Sequence, residues 1–497
     1  MALARRAGWS CAAALALLAW SAVPALAGRD HISILSPHGT VERATLPAAA
    51  TASLPAPPGG PAARTPARAA TVRTVASELK RLARSGQITG QDRRERLAAY
   101  DAARRAAAKL GGTRRRELSA VIGTIAGVAA RGQLTASRLP ALWLTLARNL
   151  EWWTTAPWIP AAGERVGFDG DELVYQYYAG QGLQIQWLGT FGKLNAIDKS
   201  RAKSSTAEAS TMIDQILPLA SARAGGIAWE YLFAFGGGLA PWTSGLSQGT
   251  GLQALARAGV KTGRAAEVFG ATRPGLAIFR RATPTGVRVE VPGGVHYAQY
   301  SFAPSLRILN GFVQSVVGLH DYAELSGSSR ARTLYAAGNA EAQREVPSYD
   351  TGAWSLYSRG SSMHESDLNY HVLLRDFLNS MCDRTAIAVY CDTAQRFTDD
   401  LSTPPVVKVP AQRLVRSRYG FVRMTLDKIS SLTLRIARGA TPVASRSVGT
   451  LAYGPHRLGW AVPKRRGTYT VTINARDLAG NTSTSTGVVK VVAPSRG

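Results

Sequence analysis

The stretch Leu309-Asn-Gly-Phe-Val-Gln-Ser-Val-Val-Gly-Leu319 decides the predicted fold of this 497-residue chain. Its apolar residues recur at intervals of three and four, so one helical face carries Leu309, Phe312, Val313, Val316 and Val317. Similar stretches follow one another up to Asp400, separated by Gly-rich joints such as Gly236-Gly-Gly238. Helix after helix with short joints predicts a mainly α fold over residues 151–402, an α/α toroid or an equivalent array of helical hairpins.

The segments on either side of this region predict further domains. Residues 71–150 repeat apolar positions at helical spacing and are dense in arginine, which predicts a basic helical region. Its arginines form either a polyanion-binding face or an ordinary solvated surface. Residues 403–497 alternate apolar and polar side chains, as in Leu432-Thr-Leu434, which is typical of half-buried strands. We expect an immunoglobulin-like β-sandwich of the kind found in bacterial extracellular proteins, acting as a spacer or docking unit.

The start of the chain predicts export. Arg5 and Arg6 precede the apolar run Cys11–Ala19 and then Ala25-Leu-Ala27, which is typical of a signal peptide, residues 1–27, cleaved after Ala27. That run is too short to span a bilayer, and no later stretch has the ~20 uninterrupted apolar residues of a transmembrane helix. Residues 28–70 are rich in Ala, Pro, Thr and Gly, so we expect a disordered spacer there. The mature protein is therefore expected to be secreted or to lie in the cell envelope.

The net charge indicates the class of binding partner, and the cysteines indicate a disulfide. The formal net charge is 59 − 32 = +27, which attracts polyanions of any kind. Because export argues against nucleic acid, an acidic polysaccharide is the preferred partner. Cys382 and Cys391 remain after signal removal, and in an oxidising compartment such a pair predicts a structural disulfide.

Several familiar catalytic motifs are missing. The sequence has no HExxH, GxSxG, P-loop or GxGxxG motif, and its seven histidines lack metal-ligand spacing, so no metal site is expected. Tyrosines among polar residues and glycine stand out instead. They occur in His296-Tyr-Ala-Gln-Tyr300, in the run from Tyr349 to Arg359, and in Asn369-Tyr-His371.

These tyrosine segments carry a family resemblance. Tyr349-Asp-Thr-Gly-Ala-Trp-Ser-Leu-Tyr357, followed by Tyr370-His371, resembles the C-terminal signature of the D-glucuronyl C5-epimerase family. Pro241–Gly249 and Tyr300–Phe312 resemble two upstream blocks of that family in the same order. The resemblance implies that residues 151–402 are an epimerase catalytic domain acting on heparosan-like polymers. It also implies an isomerase that converts D-glucuronate to L-iduronate without a cofactor, and from it we expect a homodimer.

The resemblance also assigns roles to residues. The family's catalytic tyrosines fall on Tyr300, Tyr357 and Tyr370, and the remaining expected substrate contacts are Arg359, for the carboxylate, and Asn310, Gln248, His371 and Gln299. Inversion at C5 needs two acid/base groups on opposite faces of the sugar. A tyrosine with a pKa of about 10 is only about 0.1% ionised at pH 7, so a neighbouring cation must lower the pKa of the base.

Two positions depart from the family pattern. Gln299 stands where animal members have a glutamate implicated in acid/base chemistry, and an amide takes no proton at neutral pH. Either a tyrosine pair performs both transfers, or His296 or His371 supplies the base, or activity is altered or lost. Arg359 lies one residue before the family's arginine, so its role requires a one-residue change in the loop.

Two other functions compete with epimerisation. A polysaccharide lyase shares the proton-abstraction step, but it also protonates the C4 leaving oxygen and releases an unsaturated uronate that absorbs ultraviolet light. A non-catalytic cell-envelope protein would bind acidic glycans through its arginines, and Gln299 supports that interpretation.

Overall fold

The computed structural model describes residues 30–51 and 73–494, and the predicted signal peptide lies outside them. Within these ranges the chain forms thirteen α-helices: α1 Val75–Arg84, α2 Gly90–Lys109, α3 Gly112–Ala130, α4 Leu139–Thr155, α5 Trp187–Lys199, α6 Ser205–Ile216, α7 Gly245–Lys261, α8 Ala265–Thr272, α9 Ala277–Arg280, α10 Leu309–Ser326, α11 Ser329–Glu345, α12 Leu368–Thr385 and α13 Ala388–Asp400. The strands before residue 403 are β1 His31–Leu35, β2 Val41–Thr45, β3 Arg165–Phe168, β4 Asp171–Tyr178, β5 Gly182–Ile185, β6 Ser221–Arg223, β7 Gly226–Ala228, β8 Arg288–Val291, β9 Gly294–Tyr297, β10 Leu306–Ile308, β11 Leu356–Gly360 and β12 His364–Glu365. The remaining strands are β13 Val407–Lys408, β14 Gln412–Val415, β15 Tyr419–Leu426, β16 Ser430–Arg438, β17 Thr441–Leu451, β18 Gly454–Ala461, β19 Gly467–Asp477 and β20 Thr482–Val492.

Helices α1 to α4 form the predicted basic helical region. α1 begins at a capping box, in which the side chains of Thr74 and Ser77 each accept a hydrogen bond from the other's backbone nitrogen. α4 continues through the predicted boundary at residue 150 as far as Thr155, because its apolar periodicity runs without a break through Trp152 and Trp153. A buried ion pair, 2.6 Å from Arg138 Nε to Glu230 Oε2, joins these helices to the region that follows.

The predicted disordered spacer is wrong for residues 30–51. β1 pairs antiparallel with β2 and parallel with β3, inside a five-stranded sheet of order β2-β1-β3-β4-β5. Ile32 and Leu35 are buried, and the backbone at Ala49 lies so close to Gly192 of α5 that a β-carbon there would clash. The Ala- and Pro-rich composition of residues 28–70 concealed this short apolar strand, whose partner β3 lies about 130 residues further on.

The mainly helical fold predicted for residues 151–402 is confirmed, and its toroidal arrangement stays a prediction. α10 packs against α7, α11 and α12, and α5 packs against α7. The α7 and α10 backbones approach closely at Gly249 and Gly318, where a β-carbon on Gly318 would lie 2.2 Å from the Gly249 oxygen. The predicted disulfide between Cys382 and Cys391 is confirmed and joins α12 to α13.

Residues 407–492 form an all-β unit, which we call the C-terminal sandwich. One sheet has the order β13-β15-β18 and the other β14-β20-β19-β16-β17. The alternating residues predicted on β16 and β19 are buried between the sheets, and Trp460 of the first sheet contacts Tyr469 of the second with ring centroids 5.5 Å apart. The all-β architecture is thus as predicted, and its assignment to the immunoglobulin-like class stays a prediction.

Across residues 30–51 and 73–494, none of the helices combines the length and the apolar composition that crossing a bilayer requires.

Candidate functional site

The structure brings the three predicted catalytic tyrosines together into what we call the tyrosine cluster. Tyr300 follows β9, Tyr357 lies in β11, and Tyr370 lies in the first turn of α12. The side chain of Asp367 caps that helix by accepting a hydrogen bond from the Tyr370 nitrogen at 2.9 Å. The ring centroids of Tyr357 and Tyr370 are 5.0 Å apart, and Tyr300 interacts electrostatically with both. Three separate elements therefore deliver phenol groups to one place.

Burial controls the protonation of two of these phenols. Desolvation raises the pKa of Tyr300 and that of Tyr357 well above 10, because a phenolate loses its hydration inside the protein. The side-chain nitrogen of Gln299 donates a hydrogen bond to the Tyr300 hydroxyl at 2.9 Å and so opposes part of this increase in pKa. Both buried tyrosines are therefore neutral at pH 7 and able to donate a proton.

Two polar atoms at the cluster are buried without a hydrogen-bond partner among the described residues. One is the Tyr357 hydroxyl, although Gln299 and Tyr300 lie close enough to influence its pKa. The other is Oδ1 of Asn310, whose Nδ2 donates to the Tyr370 carbonyl at 3.1 Å. Buried polar atoms are nearly always paired. Two buried atoms without a partner at the same cluster therefore indicate a place for a polar ligand.

Gln299 and Asn310 reach the cluster because the start of α10 packs against the end of β9. A β-carbon at Gly311 would lie 2.5 Å from Gln299 Oε1, so glycine is the residue that allows this approach. Asn310 then bridges the start of α10 to the start of α12 through the Tyr370 carbonyl.

The predicted substrate contact His371 has both ring nitrogens occupied by protein atoms. Nδ1 accepts from the Ser355 nitrogen at 3.2 Å, and Nε2 contacts the Phe397 carbonyl at 2.8 Å. Its ring stacks on Trp354 at 3.7 Å, and burial lowers its pKa to about 4. His371 is therefore a neutral packing residue, which argues against the expected substrate contact and against its alternative role as base.

Three other candidates make their contacts elsewhere. The Gln248 side chain bonds to the backbone of Trp229 and of Ile227. The Arg359 guanidinium lies over the Tyr349 ring, 5.7 Å from its centroid. His296, the other alternative base, is buried and holds Glu345 through Nδ1 at 3.1 Å, while its Nε2 has no partner in the part of the chain that the structure describes.

A glycine hairpin and a cavity that no sequence pattern predicted lie beside Tyr300. Gly236-Gly237 is the tip of a tight hairpin closed by Phe235 and Gly238, rather than a joint between helices. A cavity of about 410 Å³ lies between this tip and the turn that follows β11. It is lined by Gly236, Gly237, Phe302, Ala303, Leu306, Ser361 and Ser362. Phe302 lies 5.4 Å from Tyr300 between ring centroids, so the cavity adjoins the tyrosine cluster. The three consecutive glycines were the available signal for this hairpin.

No group of three or more metal-ligating side chains is assembled within residues 30–51 and 73–494. The expectation that the reaction needs no cofactor stays a prediction.

Comparison with known proteins places all eight predicted site residues inside one matched segment. Residues 225–399 match the model of the family described as D-glucuronyl C5-epimerase C-terminus. A D-glucuronyl C5-epimerase of Caenorhabditis elegans is 28% identical over 150 residues, which are 27% of this chain and 24% of that protein. The match thus spans less than two thirds of that relative.

Comparison with solved structures finds two cellobiose 2-epimerases. The enzyme from Bacillus thermoamylovorans is 8% identical with a TM-score of 0.33, covering 53% of this chain and 71% of its own. The enzyme from Spirochaeta thermophila is 15% identical with a TM-score of 0.35, covering 53% of this chain and 69% of its own.

Proposed function

We propose that this protein, whose residues 225–399 carry the C-terminal region of the D-glucuronyl C5-epimerase family, is an exported uronate C5-epimerase. Its substrate would be an acidic, glucuronate-containing polysaccharide, and its product would contain L-iduronate. The observation that supports this most strongly is the convergence of Tyr300, Tyr357 and Tyr370 beside a cavity. The net charge of +27 suits a polyanionic chain.

The proposed reaction moves two protons. The base removes the proton on C5, and the electron pair of the broken C–H bond passes into the carboxylate to give an enediolate. A phenol on the opposite face then donates its proton to C5, which inverts the centre. Burial keeps Tyr300 and Tyr357 neutral, so either suits the donor role. Tyr370 is half-buried and is carried by another element, so we assign the abstraction of the C5 proton to its phenolate.

The substrate carboxylate needs compensation as charge develops on it. Arg359 lies on β11, two residues after Tyr357, and we assign to it the role of this cation. To reach the carboxylate, its guanidinium would leave its position over the Tyr349 ring. The unpartnered Oδ1 of Asn310 would accept a hydrogen bond from a sugar hydroxyl. The homodimer that the resemblance implies stays a prediction.

One observation favours a second candidate function, a non-catalytic glycan-binding protein. Gln299 brings an amide rather than a carboxylate to Tyr300, and an amide is no proton acceptor. Such a protein would bind acidic glycans and leave the C5 proton in place.

The test is incubation of the mature protein with heparosan and with other glucuronate polymers in deuterated water. NMR would follow deuterium at C5 and the iduronate signals, while absorbance would follow unsaturated uronate. Deuterium and iduronate without new absorbance are expected. New absorbance would identify a lyase, and binding without deuterium uptake would identify the glycan-binding protein.

A further inference from the structure

The C-terminal sandwich places a buried lysine against the elements that carry the tyrosine cluster. Lys428 lies between β15 and β16 and is 0% exposed. Its ammonium group donates to the carbonyls of Asp400, at 2.9 Å, and Thr403, at 2.6 Å, and lies 3.4 Å from Asp477 Oδ2. It also lies over the ring of Trp354, 5.4 Å from the centroid. A buried ammonium ion is costly unless it is paired and hydrogen-bonded, and here its partners come from both sides of the domain junction.

Trp354 connects Lys428 to the two elements that carry Tyr357 and Tyr370. Its ring is stacked on that of His371 at 3.7 Å with an interplanar angle of 8°, and its indole nitrogen donates to the Ser366 carbonyl at 2.9 Å. Trp354 precedes Tyr357 by three residues, and His371 directly follows Tyr370. The stacked pair therefore joins the strand that carries Tyr357 to the helix that carries Tyr370.

A second contact links the C-terminal sandwich to β11, the strand that carries Tyr357, through the neighbouring strand β12. Glu365 in β12 accepts backbone hydrogen bonds from Ile429, at 2.8 Å, and Tyr453, at 2.7 Å, both in the C-terminal sandwich. β12 pairs with β11, with Glu365 opposite Leu356 next to Tyr357. Hydrogen bonds from two backbone N–H groups to one carboxylate are strong, so they fix β12 against the C-terminal sandwich. A domain that acted only as a spacer would not need such a contact.

We propose that Lys428 is a positioning residue for proton transfer, through which the C-terminal sandwich fixes the separation of Tyr357 and Tyr370. This inference rests on the proposed function, because it assumes that these two tyrosines exchange protons with the substrate. This role would replace the expectation that the all-β unit acts as a spacer or docking unit. A displacement of a reacting group by about 1 Å lowers rates by up to about a hundredfold, so modest support from a neighbouring domain matters.

The test compares Lys428→Met with Lys464→Met in the full-length protein. Lys464 is an exposed lysine of the same sandwich, so its substitution controls for loss of a charge. We expect Lys428→Met to lower kcat for C5 epimerisation between about tenfold and a hundredfold. KM should stay within about twofold, because no group that binds the polysaccharide is removed. Lys464→Met should leave both constants unchanged.

A spectroscopic measurement separates this inference from the proposed function. In protein labelled with 3-fluorotyrosine, the fluorine signals of Tyr357 and Tyr370, assigned with the Phe variants, should shift in Lys428→Met and not in Lys464→Met. These shifts are expected even if the wild type shows no epimerase activity. Unchanged fluorine signals in Lys428→Met would overturn the inference, as would a raised KM with unchanged kcat. If Lys428→Met fails to fold, Glu365→Gln is the second variant, and it must shift the Tyr357 signal for the inference to stand.

Discussion

The side-chain nitrogen of Gln299 donates a hydrogen bond to the Tyr300 hydroxyl at 2.9 Å, at the position where the family resemblance expects a glutamate. A glutamate there would accept a hydrogen bond from the phenol instead. We expect Gln299→Glu to add an ionisation to the pH profile of C5 exchange between about pH 5 and 7, because burial raises the pKa of a carboxyl group. The added exchange should increase as pH rises through that pKa, since only the ionised form accepts a proton.

The measurement is deuterium uptake at C5 against pH, with Gln299→Leu as the control that adds no titrating group. If the profiles of Gln299→Glu and the wild type coincide, position 299 has no part in proton transfer.

The pH profile of the wild type should identify the base. Because burial raises the pKa of Tyr300 and that of Tyr357 well above 10, no buried phenol of the cluster titrates near neutrality. If the base is a phenolate, kcat/KM should rise about tenfold per pH unit between pH 6 and 8.5, as the ionised fraction rises. A plateau beginning near pH 6 would instead indicate a histidine or a carboxylate as the base.

Asp321 should contribute strongly to stability. Its carboxylate accepts from Arg384 Nε at 2.6 Å and from Arg257 at 2.6 Å, which joins α10 to α12 and α7. Asp321→Asn leaves two arginines with reduced pairing, and we expect it to lower the free energy of unfolding by about 3 kcal/mol at pH 7. Asp214→Asn, at an exposed partner of Arg264, should lower it by less than about 1 kcal/mol.

The pH dependence of this effect follows from the lowered pKa of Asp321, which lies well below its usual range. The stabilisation is present above the unfolded pKa of about 4 and declines as pH falls below it. Urea unfolding at pH 7 and pH 3 should therefore show a smaller difference between wild type and Asp321→Asn at pH 3. Equal stabilities at pH 7 would contradict this account.

His371 should make the protein sensitive to mild acid. Its pKa is about 4, lowered chiefly by burial, whereas an exposed histidine has a pKa of about 6.5. The unfolded chain therefore binds a proton more readily between these values, and stability should fall by roughly 3 kcal/mol as pH drops from 6.5 to 4. His371→Phe keeps a ring against Trp354 and removes the titration.

The measurement is the free energy of unfolding of both proteins from pH 7 to 4. His371→Phe should be less stable at pH 7, because Ser355 and Phe397 lose a partner, and the difference should narrow toward pH 4. A constant difference across this range would show that His371 is not held neutral.

Local patterns predicted much of the fold. The three-and-four spacing of Leu309–Leu319 places α10 correctly, and alternation in β16 and β19 predicts the buried faces of the C-terminal sandwich. The strand His31–Leu35 escaped prediction because its partner in β3 lies far along the chain. The role of Lys428 escaped prediction for the same reason, since Trp354 and Asp400 lie in the preceding helical region and reach it only when that region packs against the C-terminal sandwich.

The candidate site was predictable where a motif carried it. Ordered motifs marked Tyr300, Tyr357 and Tyr370 in the sequence, although no periodicity indicates that the three side chains lie together. His371 and Gln248 belong to the same motifs yet bond to protein atoms, and residue identity alone does not distinguish the two cases.

The central claim is that the tyrosine cluster inverts C5, and Tyr370→Phe tests it most directly. The matched control is Tyr419→Phe, a tyrosine 70% exposed on the C-terminal sandwich. In deuterated water with the polymer that the wild type converts, Tyr370→Phe should lose between about a hundredfold and ten-thousandfold in iduronate formation, while Tyr419→Phe keeps the wild-type rate. Wild-type conversion by folded Tyr370→Phe would contradict the account.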